Sequence, residues 1–288
     1  MKKVLSAVLA LAISGALFAG CAATGSPASS APASSKAGSA AAGTGATGKV
    51  SLTGSSSMQE LMEAMIEAYK EVEPGVTVEC QYPGSGQGIT AVTEGKVDIG
   101  NASRELKAEE AANLEANIVA IDGIAVALNP ANKAADISVE QLAKIYTGEI
   151  KNWKEVGGDD KAIVVIGRDS ASGTREAFES IVGVKEKCKY SQELTSTGAV
   201  KTAVASNPDA IGYVSLNAVD NTIKASKIGG AEANEAAILD GTYKLSRPFV
   251  MATSKTKTLS VLAKAFLDFA KGEKGQEIVK SLGLIVKK

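Results

Sequence analysis

Histidine is missing altogether from the 288 residues. That absence removes Ser-His-Asp and Cys-His nucleophile systems, HExxH zinc sites and most proton shuttles that work near neutral pH. Aromatic residues are scarce at 4%, which argues against stacking platforms for nucleic acid or sugars. Neither sign of charge is in excess, because 31 Lys+Arg face 32 Asp+Glu for a net charge of −1. No polyanion-binding surface and no nucleic-acid partner are therefore expected, and any anion must be held locally by a few aimed groups. The 3 cysteines include no CxxC pair, and Asp159-Asp160 lacks the ligand count for calcium, so neither a metal nor a cofactor is expected. Cys80 falls in a strand pattern and Cys188 in a lysine-rich loop. They are expected in different parts of the fold, as free thiols.

What is present is a chain able to fold, with 45% hydrophobic and 22% charged residues. Its start reads as a targeting segment over residues 1–20. Lys2 and Lys3 precede an apolar stretch from Val4 to Ala19, too short for a comfortable membrane span. Phe18-Ala19-Gly20-Cys21 follows the pattern of small residues before a cysteine. It resembles the lipobox of bacterial lipoprotein signal peptides, with Phe18 where Leu, Val or Ile is usual. The resemblance implies that Cys21 is lipidated, with palmitate among the expected modifications, and becomes the mature N-terminus. Residues 21–48 are Ala, Ser, Gly, Thr and Pro with Lys36 as the only charge after Cys21, a composition that cannot bury a core. Such a tether spans roughly 25–30 Å on average. The expected location is the extracytoplasmic face of the cell membrane.

From Lys49 onward, short β-type runs alternate with helical patterns, the signature of α/β layering. Met58, Leu61, Met62, Met65, Ile66 and Tyr69 recur at helical spacing until Glu73-Pro74-Gly75 ends the helix. At that spacing the methionines read as core, not as a soft-metal site. Val76, Val78, Cys80 and Tyr82 alternate as a strand, and a helix is expected from about Ile89 to Glu94. Ile118 to Leu128 reads as a strand carrying the chain into a second lobe, and Leu245 to Met251 as the return. The expectation is an α/β fold of two lobes, residues 49–124 with 246–288 and residues 125–245, with a ligand cleft between them and two hinge crossings. Asp122-Gly123 and Ser246-Arg247 lie at those crossings and take hinge roles, while Trp153 packs within a lobe.

Three junctions share one design. Gly54-Ser55-Ser56-Ser57, Pro83-Gly84-Ser85-Gly86-Gln87-Gly88 and Arg168-Asp169-Ser170-Ala171-Ser172-Gly173-Thr174 each follow a strand and open a helix. Helix N-termini leave N–H donors unsatisfied and carry about half a positive charge, so they hold anions without a charged side chain. Serine and threonine add hydroxyl donors, and glycine lets a guest approach the backbone. Singly, each junction is only a helix cap. Gly84-Ser85-Gly86 completes neither a dinucleotide fingerprint, since Ile89 stands at the last glycine, nor a nucleophile elbow. No GxxxxGK[ST] occurs. Together, with Arg168 at a strand end, the junctions favour an oxyanion bound by neutral dipoles and one guanidinium.

These stretches, with Asp98-Ile99-Gly100-Asn101-Ala102-Ser103-Arg104, Leu142 to Gly148, Asn152-Trp153, Ala210-Ile211-Gly212-Tyr213-Val214-Ser215 and Leu245-Ser246-Arg247-Pro248, resemble the phosphate-binding proteins of bacterial Pst-type ABC importers. The match runs from about Lys49 to the end, and Arg168 to Thr174 is its most specific part. It implies a type II periplasmic-binding-protein fold, a monomer, closing on inorganic phosphate and serving a membrane permease and its ATPase. Carried over by motif, Ser56, Ser57, Ser85 and Ser103 would contact phosphate from one lobe, and Arg168, Ser172, Gly173 and Thr174 from the other. Asp169 is expected to orient Arg168, and Arg175 to face solvent. One departure stands out. Ser103-Arg104-Glu105 occupies the place where the best-known members carry an aspartate that accepts the proton of bound phosphate. Ser103 can donate or accept, while Arg104 either points inward or makes a surface or hinge salt bridge. The Ser-Arg form also occurs in the family, so phosphate is favoured, with sulfate or molybdate as alternatives. An enzyme on phosphorylated substrates is the reading from another class, and it needs a general base or metal that the sequence does not display.

Overall fold

Strands and helices alternate along the whole of residues 45–287, which a computed structural model describes. They belong to a unit running from Ala41 to Lys288. The expected leader, the expected lipidation site Cys21 and most of the expected tether lie outside the described residues. In chain order the elements are β1 (Gly48–Gly54), α1 (Gln59–Val72), β2 (Val76–Gln81), α2 (Ser85–Glu94), β3 (Ile99–Ala102), α3 (Ala108–Asn113) and β4 (Leu114–Leu128). They continue with α4 (Val139–Thr147), β5 (Val164–Arg168), α5 (Gly173–Val182), β6 (Gln192–Leu194), α6 (Thr197–Ser206), β7 (Ala210–Ser215) and β8 (Lys224–Ala225). The last are α7 (Glu235–Leu239), β9 (Ser246–Ser254), α8 (Val261–Lys271) and α9 (Glu273–Ser281).

Several of these bounds differ from the sequence reading, β4 for one beginning at Leu114, four residues before the expected Ile118. Gly48, expected as the last tether residue, already pairs with Val76 as the first residue of β1. Helix α2 starts at Ser85, four residues before the expected Ile89. Glycine disfavours helix in isolation, but Gly88 packs where a Cβ would stand 2.6 Å from Thr53 O and 2.7 Å from Gly54 Cα. Close approach of α2 to the end of β1 outweighs propensity there. Helix α1 behaves as its spacing predicts, burying Leu61, Met62, Met65 and Tyr69, and the backbone N–H of Glu73 closes its end on Tyr69 O.

The strands follow the order β2-β1-β3-β9-β4-β7-β5-β6, with β8 beside β4. Strand β4 is the joint. Its residues Leu114 to Gly123 pair antiparallel with β9, and Ile124 to Leu128 pair with β7. One apolar cluster, including Leu52, Met58, Leu61, Phe249 and Phe266, lies on the β1 side. Another, including Ile124, Tyr146, Trp153, Phe178 and Tyr213, lies on the β5–β7 side. The chain thus forms two α/β halves joined through β4 and β9, the two-lobed architecture expected. Among the described residues no helix is long and apolar enough to cross a membrane. Cys80 and Cys188 are free, and burial pushes both thiols up to about 11.

A buried ion pair pins the crossing. Asp122 in β4 accepts from Arg247 Nη2 at 2.9 Å and Nε at 3.1 Å, and its other oxygen accepts from Ser215 Oγ at 2.6 Å. Burial pushes the Asp122 carboxyl up and the Arg247 guanidinium down, and their mutual pairing offsets that cost. Arg247 Nη1 also donates to the carbonyl of Ser103 at 3.2 Å, which ties the hinge to the neighbouring loop.

Candidate functional site

The expected helix starts meet at the boundary between the halves. Ser55 caps the first, accepting from Ser57 N at 3.2 Å, and its hydroxyl donates to Ser103 Oγ at 2.8 Å. Ser56, Ser57 and Met58 form a 3-10 turn that leads into α1. At the second start, Ser85 Oγ accepts from Ser103 N at 3.1 Å and lies 3.4 Å from Ser103 Oγ. At the third, Ser172 caps α5 by accepting from Arg175 N at 3.2 Å. Contacts then cross between the halves. Ser57 Oγ lies 2.7 Å from Thr174 Oγ1, and Gly86 N donates to Ala171 O at 2.9 Å. Gly173 presents bare backbone to Ser85 and Ser103, since a Cβ built on it would stand 2.3 Å from Ser85 Oγ and 3.0 Å from Ser103 Oγ.

Every serine, threonine and arginine expected at the core of the site is buried: Ser56, Ser57, Ser85, Ser103, Arg168, Ser172 and Thr174. The structure also adds residues. Thr197 opens α6, and its Oγ1 lies 2.9 Å from Ser57 Oγ and accepts from Arg168 Nη1 at 3.3 Å. Its backbone N–H donates to Ser56 Oγ at 3.2 Å. Thr195-Ser196-Thr197-Gly198 repeats the strand–hydroxyl–glycine–helix design after β6. The pattern was visible, but β6 is only 3 residues long and gave no periodic signal that a strand ended there. Ser55, to which the sequence pattern assigns no role, supplies the cap and the hydrogen bond to Ser103.

Arg168 is the chemical centre. Its Nε donates to Leu194 O at 3.1 Å, and its Nη2 to Thr195 O at 3.1 Å and Ser56 Oγ at 3.1 Å. All these partners are neutral. Among the described residues no carboxylate stands within ion-pair distance of Arg168, although the charge of Asp169 acts on it through space. Burial pushes this guanidinium down to about 10, which still leaves it charged at neutral pH. The other buried arginines differ. Arg247 has Asp122, and Arg104 has Glu110 and Glu176.

Several expected roles are corrected by this geometry. Arg104 does not point toward the hydroxyl cluster. It grips Glu110 at 2.7 Å and 2.8 Å and lies 2.8 Å from Glu176, so the salt-bridge alternative is the one observed. Asp169 makes no hydrogen bond to the Arg168 side chain, and its buried Oδ1 has no protein partner. Arg175 does not face solvent. Only 20% exposed, it pairs with Glu179 at 2.8 Å and Glu193 at 3.1 Å, and Nη1 donates to Arg168 O at 2.8 Å. Its helical position suggested an outer face, whereas the β5–α5 turn folds that face against β6. The Ser172 hydroxyl accepts the cap hydrogen bond from Arg175 N, which leaves its own proton free to donate.

Four helix N-termini therefore converge on one buried patch of hydroxyls with a single unneutralised guanidinium. A groove of about 350 Å³, lined by Ser56, Ser57, Glu60, Thr197, Lys201 and Asn217 among others, opens beside it. Its rim is bridged by Asn217 Nδ2 donating to Glu60 Oε2 at 2.9 Å. This arrangement can desolvate a small anion and meet it with N–H, O–H and guanidinium donors from both halves.

Comparison with known proteins agrees with that chemistry. The PBP superfamily domain matches residues 39–274. The phosphate-binding protein PstS of Bacillus subtilis is 36% identical over 241 residues, covering 81% of this chain and 78% of its own. That of Staphylococcus haemolyticus is 31% identical, covering 80% and 78%. A Clostridium perfringens structure, described as a phosphate ABC transporter substrate-binding protein with bound phosphate, is 41% identical with a TM-score of 0.81, covering 84% of this chain and 100% of that one. An ABC-type phosphate transport receptor from Vibrio cholerae is 33% identical with a TM-score of 0.70, covering 83% and 100%. The chain belongs to the PBP superfamily, within the family of the phosphate-binding proteins PstS.

Proposed function

We propose that this protein captures inorganic phosphate between its two halves and presents it, without catalysis of its own, to the permease and ATPase of an ABC importer. One observation carries the reading above all: Arg168 is buried without a carboxylate partner among the described residues. An isolated buried cation is costly, and an anionic guest removes that cost. Residues 49–124 with 246–288 form one closing lobe, and residues 125–245 the other. Ser56, Ser57, Ser85 and Ser103 supply donors from the first. Arg168, Ser172, Thr174, Thr197 and the backbone of Gly173 supply them from the second. Closure brings both sets onto one ligand, so the closed form is stabilised by binding and is the form the transporter recognises. The protein acts as a monomer held at the extracytoplasmic membrane face by lipid on Cys21. The likeness to relatives named for phosphate binding supports the choice of ligand.

Among the described residues no carboxylate hydrogen-bonds the hydroxyl cluster, which favours a second reading, another tetrahedral oxyanion such as sulfate or molybdate. Hydroxyls can accept the proton of hydrogen phosphate, but they can equally donate to a fully ionised anion. Titration calorimetry on the full chain with phosphate, sulfate, molybdate and a sugar phosphate at several pH values decides between them. Phosphate is expected to bind tightest, and Arg168→Ala to lose most of that affinity while the protein stays folded. Tight sulfate binding with weak phosphate binding would overturn the ligand, and turnover of a phosphate ester would overturn the absence of catalysis.

A further inference from the structure

Arg168 is gripped from behind as well as at its fork. Its backbone N–H donates to Tyr213 Oη at 3.1 Å, and its carbonyl accepts from Arg175 Nη1 at 2.8 Å. The Tyr213 hydroxyl lies 3.0 Å from that of Tyr190, which donates to Glu179 Oε1 at 2.8 Å. Each hydroxyl has one proton. Since that of Tyr190 goes to the carboxylate, that of Tyr213 must go to Tyr190. The bonds therefore run in one direction, from Arg168 N–H through Tyr213 and Tyr190 to Glu179, and each polarises the next. Arg175 Nε closes the circuit on the same Glu179 oxygen at 2.8 Å, and its guanidinium lies 4.9 Å from the Tyr190 ring centroid. Stacking on Phe178 at 4.4 Å fixes the Tyr213 ring. Neither the Tyr213 nor the Arg175 side chain hydrogen-bonds a hydroxyl of the cluster.

Holding both polar groups of one residue's backbone leaves its side chain little freedom to swing. We propose that Tyr213 and Arg175 are positioning residues that set phosphate affinity by fixing the main chain of Arg168. This rests on the reading of Arg168 as the anion-binding guanidinium. Position matters because charge-assisted hydrogen bonds weaken steeply with misalignment.

Phosphate dissociation constants by calorimetry on the full chain test this, with thermal unfolding as a check on folding. Tyr213→Phe and Arg175→Met are each expected to weaken binding about tenfold, the loss of one well-aligned charged hydrogen bond. Arg175→Lys keeps a donor for the Arg168 carbonyl and should recover part of that loss. In an Arg168→Lys background, Tyr213→Phe should matter less than about twofold, because the guanidinium it positions is gone. A loss by the same factor in both backgrounds would overturn the proposal, as would parental affinity in both single variants. If Arg168→Lys binds too weakly to measure, or Tyr213→Phe does not fold, the Arg175 pair decides. Rescue by lysine then supports positioning, and no difference between lysine and methionine refutes it. Arg168→Lys binding as tightly as the parent would instead sink the proposed site itself.

Discussion

Arg104 Nε lies 2.8 Å from Glu176 Oε2, joining the residue after Ser103 in one half to the helix that begins at Gly173 in the other. Glu110 holds the same guanidinium by two hydrogen bonds, and Lys107 Nζ reaches Glu176 at 3.3 Å. The Arg104–Glu176 contact exists only when the halves are together, so it acts on the closed form. Glu176→Gln leaves Arg104 paired with Glu110 and should speed phosphate release several-fold, with little change in the association rate. Stopped-flow release would show it, and an unchanged off-rate would rule out the latch.

Gly173 packs with no room to spare against Ser85 of the other half. A methyl group there would meet Ser85 Cβ at 2.8 Å as well as its hydroxyl, and Cβ is not the far end of a flexible chain. Gly173→Ala is expected to hold the halves apart and weaken phosphate binding by more than about tenfold, the range over which overpacking acts. Small-angle scattering with saturating phosphate checks the cause: the variant should stay more extended than the parent.

Thr197 and Ser196 are neighbours with separable tasks. Thr197 reaches Ser57 and Arg168, whereas Ser196 caps α6 by accepting from Ala199 N at 3.1 Å. Thr197→Val should reduce phosphate affinity about fivefold at little cost in stability, as expected for one lost hydrogen bond. Ser196→Ala should cost about 1 kcal/mol of stability, the usual worth of a cap, with a smaller effect on affinity. Parallel calorimetry and denaturant titration separate the two, and the reverse pattern would contradict this assignment.

Affinity should also follow the charge on Arg168. Burial lowers its guanidinium to about 10, and a bound anion favours the charged form. Below that pH the group is protonated with or without ligand, so it contributes no pH dependence. Above it, binding must take up a proton, and affinity should fall toward tenfold per pH unit. Titrations between pH 8 and 11 measure this as about the window around that value. A flat profile to the upper end would mean that Arg168 stays charged throughout, leaving its contact with the anion to be tested by Arg168→Ala.

At the hinge, Asp122→Asn leaves the Arg247 charge buried without its counterion. Breaking one partner of a buried pair costs about 3–5 kcal/mol. Urea unfolding should show that loss, and a change below about 1 kcal/mol would place the pair among the weakly coupled ones.

Much of this protein was legible from residue types at short range. The spacing of Met58 to Tyr69 defined α1, and the strand–hydroxyl–glycine–helix junctions at Ser56, Ser85 and Arg168 pointed to a buried anion site, because helix dipoles and caps are local physics. Local patterns failed where long-range contact outweighs propensity or where elements are short. Helix α2 could begin among glycines because Gly88 lies against β1, and Thr197 went unnoticed because β6 is too brief to announce itself. Side-chain direction was beyond the sequence altogether. Only the folded chain decided that Arg104 turns to Glu110 and Glu176, that Arg175 turns back onto the carbonyl of Arg168, and that Arg168 alone of these is left without a carboxylate. Pairing among buried charges is set by which elements the tertiary fold brings within a few ångströms, and sequence separation carries no record of that distance.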